Sequence, residues 1–184
     1  MISKKEHVIY MLNHRNAAVK HWSEELRADK ELILAAVKIN WRDLQYASAE
    51  LQDDEEVVLA VINFGSTSAL GYASKRIRDT KNIILGAVKR HGEALRYASS
   101  NLQDDKEVVM EAVKSDGKSL AFASNSLKDN DAIVLRAVRN NGMVLEGASA
   151  RLQDDNTIVL EAVQNNGKAL IFASERCRDV ISIA

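Results

Sequence analysis

Gly117-Lys118-Ser119 has the form of the tail of a phosphate-binding loop. Such a loop cradles phosphate on backbone N–H groups, and it needs a further Gly at the position of Ala112, behind a strand. Ala112 supplies neither. Asp53-Asp54-Glu55-Glu56 gathers four carboxylates, as a calcium site would. It lacks the alternate spacing and central Gly of a calcium loop, and helix capping accounts for it. His7, His14 and His21 lie seven apart and would line one face of a continuous helix. A turn near Arg15-Asn16 separates them, and no Cys or acid completes a ligand set. Cys177 takes a position held elsewhere by Leu, so it reads as a small buried hydrophobe rather than a nucleophile. No catalytic, cofactor-binding or metal-binding residues emerge, and the chain is expected not to be an enzyme.

The background composition agrees. The chain has 184 residues, 46% of them apolar, a net charge of −1, one Cys and no Pro. Apolar content of this order supports a folded core. Near-neutral charge gives no global field for nucleic acid or anionic membrane. A single Cys forms no intrachain disulfide and fits a reducing compartment. No signal-type apolar segment opens the chain, and no run is long enough to span a bilayer. A cytoplasmic protein without cofactors is expected. Absence of Pro, with aromatics at only 5%, points to helices joined by short connections.

The elements are ordered by an internal repeat. Ala-Ser recurs at Ala47-Ser48, Ala73-Ser74, Ala98-Ser99, Ala123-Ser124, Ala148-Ser149 and Ala173-Ser174, with one step of 26 residues and four of 25. Asp53, Asp79, Asp104, Asp129, Asp154 and Asp179 keep the same register, as do Leu44, Leu70, Leu95, Leu120, Leu145 and Leu170. The extra residue of the longer step lies in Gly65-Ser66-Thr67-Ser68. A Ser repeated six times without a companion His and acid is framework, not a set of nucleophiles. Six clear copies cover residues 29–179, a divergent copy covers 4–28, and residues 180–184 open an unfinished one. In the divergent copy Leu12, Val19, Ser23 and Leu26 are in register, and Trp22 replaces the small Ala. The whole, 1–184, reads as one helical-repeat domain.

In the unit 105–129, Val109, Ala112 and Val113 fall at i, i+3 and i+4, with Val108 and Met110 widening the face. This predicts a first helix, A. Asp104 with Glu107, Asp53 with Glu56, and Ser3 with Glu6 resemble capping boxes at its start. Gly92, Gly117, Gly142 and Gly167 are expected to stop it in a left-handed conformation. Lys38, Lys89, Lys114 and Arg139 would complement its C-terminal dipole. Leu120, Ala123, Ser124 and Leu127 predict one continuous second helix, B. The fold class is therefore all-α, an α-solenoid of about seven helix-turn-helix repeats of 25 residues, very roughly 60–70 Å long at ordinary helix spacing. A leucine-rich repeat has a similar period, but its Leu-x-Leu strand and Asn ladder do not recur.

The string Asp-x-x-Val-Val-Leu-x-Ala-Val, followed by Gly-x-x-Leu-x-(Tyr/Phe)-Ala-Ser-x-x-Leu-x-Asp, resembles the repeats of the domain-of-unknown-function family numbered 4116. The resemblance covers roughly residues 29–179. It implies a helical-repeat fold, with one family unit spanning two 25-residue repeats, and it implies no active site.

Between the framework columns lie variable ones: Gln45, Gly71, Arg96, Ala121, Glu146 and Ile171, then Ala49, Lys75, Ser100, Asn125, Ala150 and Glu175. Beside them runs an aromatic column, Tyr46, Tyr72, Tyr97, Phe122 and Phe172. The rings either pack between repeats or form a ladder at the rim of a groove. A uniform framework carrying a variable stripe is how a solenoid presents a specific surface. The expected role is a scaffold for a protein partner, with Gln45, Tyr46, Tyr72, Lys75, Arg96, Tyr97, Glu146, Ile171 and Glu175 as the contact residues. The alternatives are an RNA-binding repeat using Arg76, Arg78, Arg151, Arg176 and Arg178 along one edge, or a structural segment of a larger protein. Nucleic acid is disfavoured by charge, and a membrane by the lack of a span. Val180, Ile181 and Ile183 would begin a helix A without its partner. Three explanations stay open: a cut from a longer array, a lid over the last pair, or an end-to-end homodimer.

Overall fold

The computed structural model describes residues 19–183, with side chains through Ile181. Ser3, Glu6, His7, Leu12, His14 and the turn near Arg15-Asn16 lie outside the described residues. All regular elements among the described residues are helical. They form two compact units, divided between Ile83 and Ile84. No described helix is long and apolar enough to cross a membrane.

The repeat has three parts rather than two. In the copy 105–129 a long α-helix, Lys106–Ser115, is followed by a 3₁₀-helix, Gly117–Phe122, and a one-turn α-helix, Asn125–Lys128. The first unit carries the same order, with long helices Lys30–Ile39 and Glu55–Asn63, 3₁₀-helices Trp41–Tyr46 and Thr67–Tyr72, and short helices Ala49–Gln52 and Lys75–Arg78. The second unit repeats it through Asp131–Asn140 and Asn156–Asn165. The chain is an all-α solenoid built of 25-residue helical repeats.

The long helix follows the expected face: Val108, Val109, Ala112 and Val113 are all buried, as are Ile133, Val134, Ala137 and Val138. Its start lies one residue later than expected. Asp105, not Asp104, is the N-cap, accepting from the N–H groups of Glu107 and Val108. Asp155 does the same in its copy, and Asp54 and Asn130 cap theirs by accepting from the N–H groups of Val57 and Ile133. Lys38, Lys89, Lys114 and Arg139 do sit in last turns.

Helix B is not continuous. Ala123 ends the 3₁₀-helix and Ser124 starts the short helix, both with extended backbone (ψ 157° and 161°). Ser124 Oγ accepts from the Leu127 N–H, an N-cap that rewards the break. Ser23, Ser48, Ser74, Ser99 and Ser149 cap their short helices likewise. In a 3₁₀-helix three residues make a turn, so every third side chain eclipses. Gly117, Leu120 and Ala123 form the buried face. Lys118 and Ala121 form the exposed one, and Ser119 and Phe122 the face between.

The expected left-handed glycine stop fails at Gly92, Gly117, Gly142 and Gly167. Gly65, beside the one-residue insertion, is the one described Gly with positive φ (103°). The column is glycine for a different reason. A Cβ on Gly142 would lie 2.2 Å from the Ala162 carbonyl oxygen of the next copy, and one on Gly117 would lie 2.7 Å from that of Ala137. Close approach of layers, not backbone conformation, excludes a side chain.

The C-terminal segment also departs from expectation. The last short helix runs on as Glu175–Ile183 instead of ending at Asp179. In earlier copies the N-cap of the next long helix is Asp29, Asp54, Asp105, Asn130 or Asp155. Val180 takes that place and offers no oxygen to start a new helix, so the old one continues.

Candidate interaction surface

The framework columns are consumed by bonds between copies. The Ser N–H donates to the last residue of the preceding short helix: Ser48 to Arg27, Ser74 to Gln52, Ser124 to Gln103, Ser149 to Lys128 and Ser174 to Gln153, all at 2.9–3.0 Å. The same hydroxyls donate to the preceding Asp carboxylate, in the pairs Ser74–Asp53, Ser124–Asp104, Ser149–Asp129 and Ser174–Asp154. These bonds, first of all, hold each of those Asp carboxyls below the usual carboxylate range. Arginines add to the effect in three copies. Arg76 bridges Asp53 and Glu55, Arg151 bridges Asp129 and Asp131, and Arg176 pairs with Asp154, at 2.8–3.0 Å. Ser126 takes the arginine's place at Asp104.

A second staple closes the other end of the layer. Asn140 Oδ1 accepts from the Gly117 N–H at 2.9 Å, while its Nδ2 donates to the Lys114 carbonyl. Asn165 does the same for Gly142 and Arg139, and Ser115 Oγ accepts from Gly92. Two features were missed in the sequence reading: this amide staple and the carboxylate role of the Asp column. The recurrence of Asn140 and Asn165 one repeat apart was the available signal.

The variable positions are in a different state. Gln45, Gly71, Arg96, Ala121, Glu146 and Ile171 are all exposed, each as the fifth residue of its 3₁₀-helix. Ala49, Lys75, Ser100, Asn125, Ala150 and Glu175 are exposed too, each as the first residue of its short helix. Within each unit these two columns flank the aromatic one. Tyr46, Tyr72, Tyr97, Phe122 and Phe172 end their 3₁₀-helices half-buried. Tyr72 lies 6.1 Å from Trp41 of the preceding copy, ring to ring. Arg96 is held over Tyr97 at 5.4 Å and over Phe122 of the next copy at 5.6 Å. The rings therefore pack between copies and leave one side to solvent.

Among the described residues, a groove opens beside these columns in each unit. One, of about 370 Å³, is lined by Glu24, Arg27, Tyr46 and Ser48 in the first unit. The other, of about 360 Å³, is lined by Lys118, Ala121, Met143, Val144 and Glu146 in the second. Among the described residues no cluster of His, Cys, Asp or Glu is placed to hold a metal. His21 is exposed, and Cys177 is buried with its thiol donating to Asn156 Oδ1 at 3.0 Å. Gly117-Lys118-Ser119 opens a 3₁₀-helix, and Ser119 is buried within it.

A sequence profile described as Domain of unknown function (DUF4116) matches residues 8–52, 29–78, 54–103, 80–128, 105–153 and 130–178. The chain belongs to this family. Each DUF4116 match spans two 25-residue repeats, and successive matches advance by one. Searches of curated proteins and of solved structures found no match.

Proposed function

We propose that this DUF4116 chain is a non-enzymatic scaffold that binds a protein partner along its 3₁₀ face. One observation carries the reading. All six residues of the variable 3₁₀ column are exposed, while the Ser, Asp and Gly columns around them are bonded or packed between copies. Side chains that vary in chemistry and stay exposed in every copy, Arg96 alone also reaching a ring of the next copy, are available for recognition. Aromatic edges beside them add the contact area that protein interfaces favour. An RNA reading fits less well, since Arg76, Arg151 and Arg176 are engaged with carboxylates. Titration of single-stranded RNA at several salt concentrations separates the two, because phosphate binding weakens steeply with salt. Replacing Arg96 and Glu146 with Ala should abolish capture of the partner with little change in melting temperature. Capture that survives the double variant contradicts the proposed face.

A further inference from the structure

The aromatic column is interrupted once, at Gly147. Its φ is not positive, and a Cβ built on it would meet nothing within 4 Å. Neither backbone nor packing requires a glycine there, unlike at Gly142. What its lack of a side chain does is uncover its surroundings. One 3₁₀ turn earlier, Ala69, Ala94, Ser119 and Ala169 are fully buried, and only the polar Asp43 and the apolar Val144 are half-exposed, so Val144 is the one apolar side chain uncovered at this position. The adjoining variable position is small as well. In the layer before, Arg96 and Phe122 stack on each other; here their counterparts are Ala121 and Gly147. The two truncations coincide at the 360 Å³ groove, whose floor includes Met143 and Val144. Lys118 lies toward the start of its 3₁₀-helix and Glu146 toward the end of the next, so the groove has a cation at one end and an anion at the other. Among the described residues neither side chain has an ion-pair partner.

We propose that this groove receives an aromatic side chain from the partner, in a peptide segment that also carries an acidic residue for Lys118 and a basic one for Glu146. The partner's ring replaces the missing ring of the column, covering Val144. The opposite charges at the two ends set the direction in which the segment lies. This inference rests on the scaffold reading above and narrows it to one site.

The test uses blocked peptides, acetyl-Asp-Phe-Arg-amide and its Phe→Ala counterpart, titrated into the isotopically labelled full chain by NMR. The Phe peptide should shift the amides of Ala121 and residues 143–147, and the Ala peptide should bind about tenfold or more weakly. Gly147→Phe supplies the ring internally and should remove the response while retaining the dispersed spectrum of the other repeats. Glu146→Lys, exposed and outside the packing, should weaken the Phe peptide without touching the fold. The proposal is overturned by the absence of saturable shifts, by shifts centred elsewhere, by equal binding of the Ala peptide, or by undiminished binding to both variants. A partner captured through Arg96 that persists in Gly147→Phe would overturn this site alone and leave the scaffold reading standing.

Discussion

Gly142 and Gly167 hold the same place in consecutive copies of the second unit, yet their surroundings differ completely. A Cβ on Gly142 would collide with the Ala162 carbonyl, while one on Gly167 would meet nothing within 4 Å. Other columns change in parallel. Val138 and Leu145 are fully buried, but Val163 and Leu170 are partly exposed. The difference shows that residue identity in the framework is fixed by the next copy rather than by the copy that contains it. Gly167, Val163 and Leu170 keep the residue types of an interior layer without those contacts among the described residues.

The largest effect expected from this comparison is at the glycines. Gly142→Ala forces a methyl group against a backbone carbonyl and should cost about 1–3 kcal/mol, as overpacking usually does. Gly167→Ala should be neutral, or stabilising by up to about 1 kcal/mol through the unfolded chain. Thermal denaturation of the two variants side by side measures this, and equal losses would break the comparison.

The serine column gives the next effect. Ser149→Ala loses both an N-cap and the bond to Asp129, and should cost roughly 0.5–2 kcal/mol. Ser48→Ala should cost less, because Ala28 stands in the Asp column opposite it and the Ser48 hydroxyl donates only to the exposed Glu50 of its own copy, not to the preceding one. Chemical denaturation resolves the pair. A smaller, local change is expected at the C-terminal helix. Val180→Asp restores the missing N-cap and should interrupt Glu175–Ile183, lowering helical Cα chemical shifts after Asp179.

The smallest effect is that of pH on the Asp column. Asp53, Asp104, Asp129 and Asp154 have lowered pKa values in the fold, so the unfolded chain binds protons more readily. Their stabilisation is complete above the ordinary value of 3.8 and is lost as pH falls through the lowered ones. Melting temperature should drop in that acid range, and Asp104→Asn should flatten the drop. Because these groups are exposed, the change is modest.

Much of this could be read in the sequence, and the remainder divides by distance along the chain. The period, the buried face of the long helix and the exposure of the variable columns follow from local patterning. Helix A was placed one residue early because Asp104-Asp105 offers two caps, and Glu107 lies three residues after the first. What settles the choice is Ser124, twenty residues on, which engages Asp104 and leaves Asp105 to cap. Helix B was read as continuous because Leu120, Ala123, Ser124 and Leu127 fit a 3.6-residue period. Gly117, Leu120 and Ala123 equally fit a period of three, and a Ser three residues before an apolar residue (Leu, Ile77 or Cys177) marked a new N-cap in every copy. The glycine column was given a local role, although its cause lies in the neighbouring layer. The proposed contact residues on the 3₁₀ face follow from their variability, while the opening at Gly147 is visible only in the half-exposure of Val144.

The most direct test of the central claim is site-specific photo-crosslinking of the full chain in its source cell. A photoreactive amino acid is placed in turn at Arg96, Ala121 and Glu146 on the 3₁₀ face, and at Glu107, Ala132 and Thr157 on the exposed side of the long helices. The account predicts one and the same protein joined at the first three positions and none at the second three. Adducts confined to the long helices, or absent from the 3₁₀ face, would contradict it.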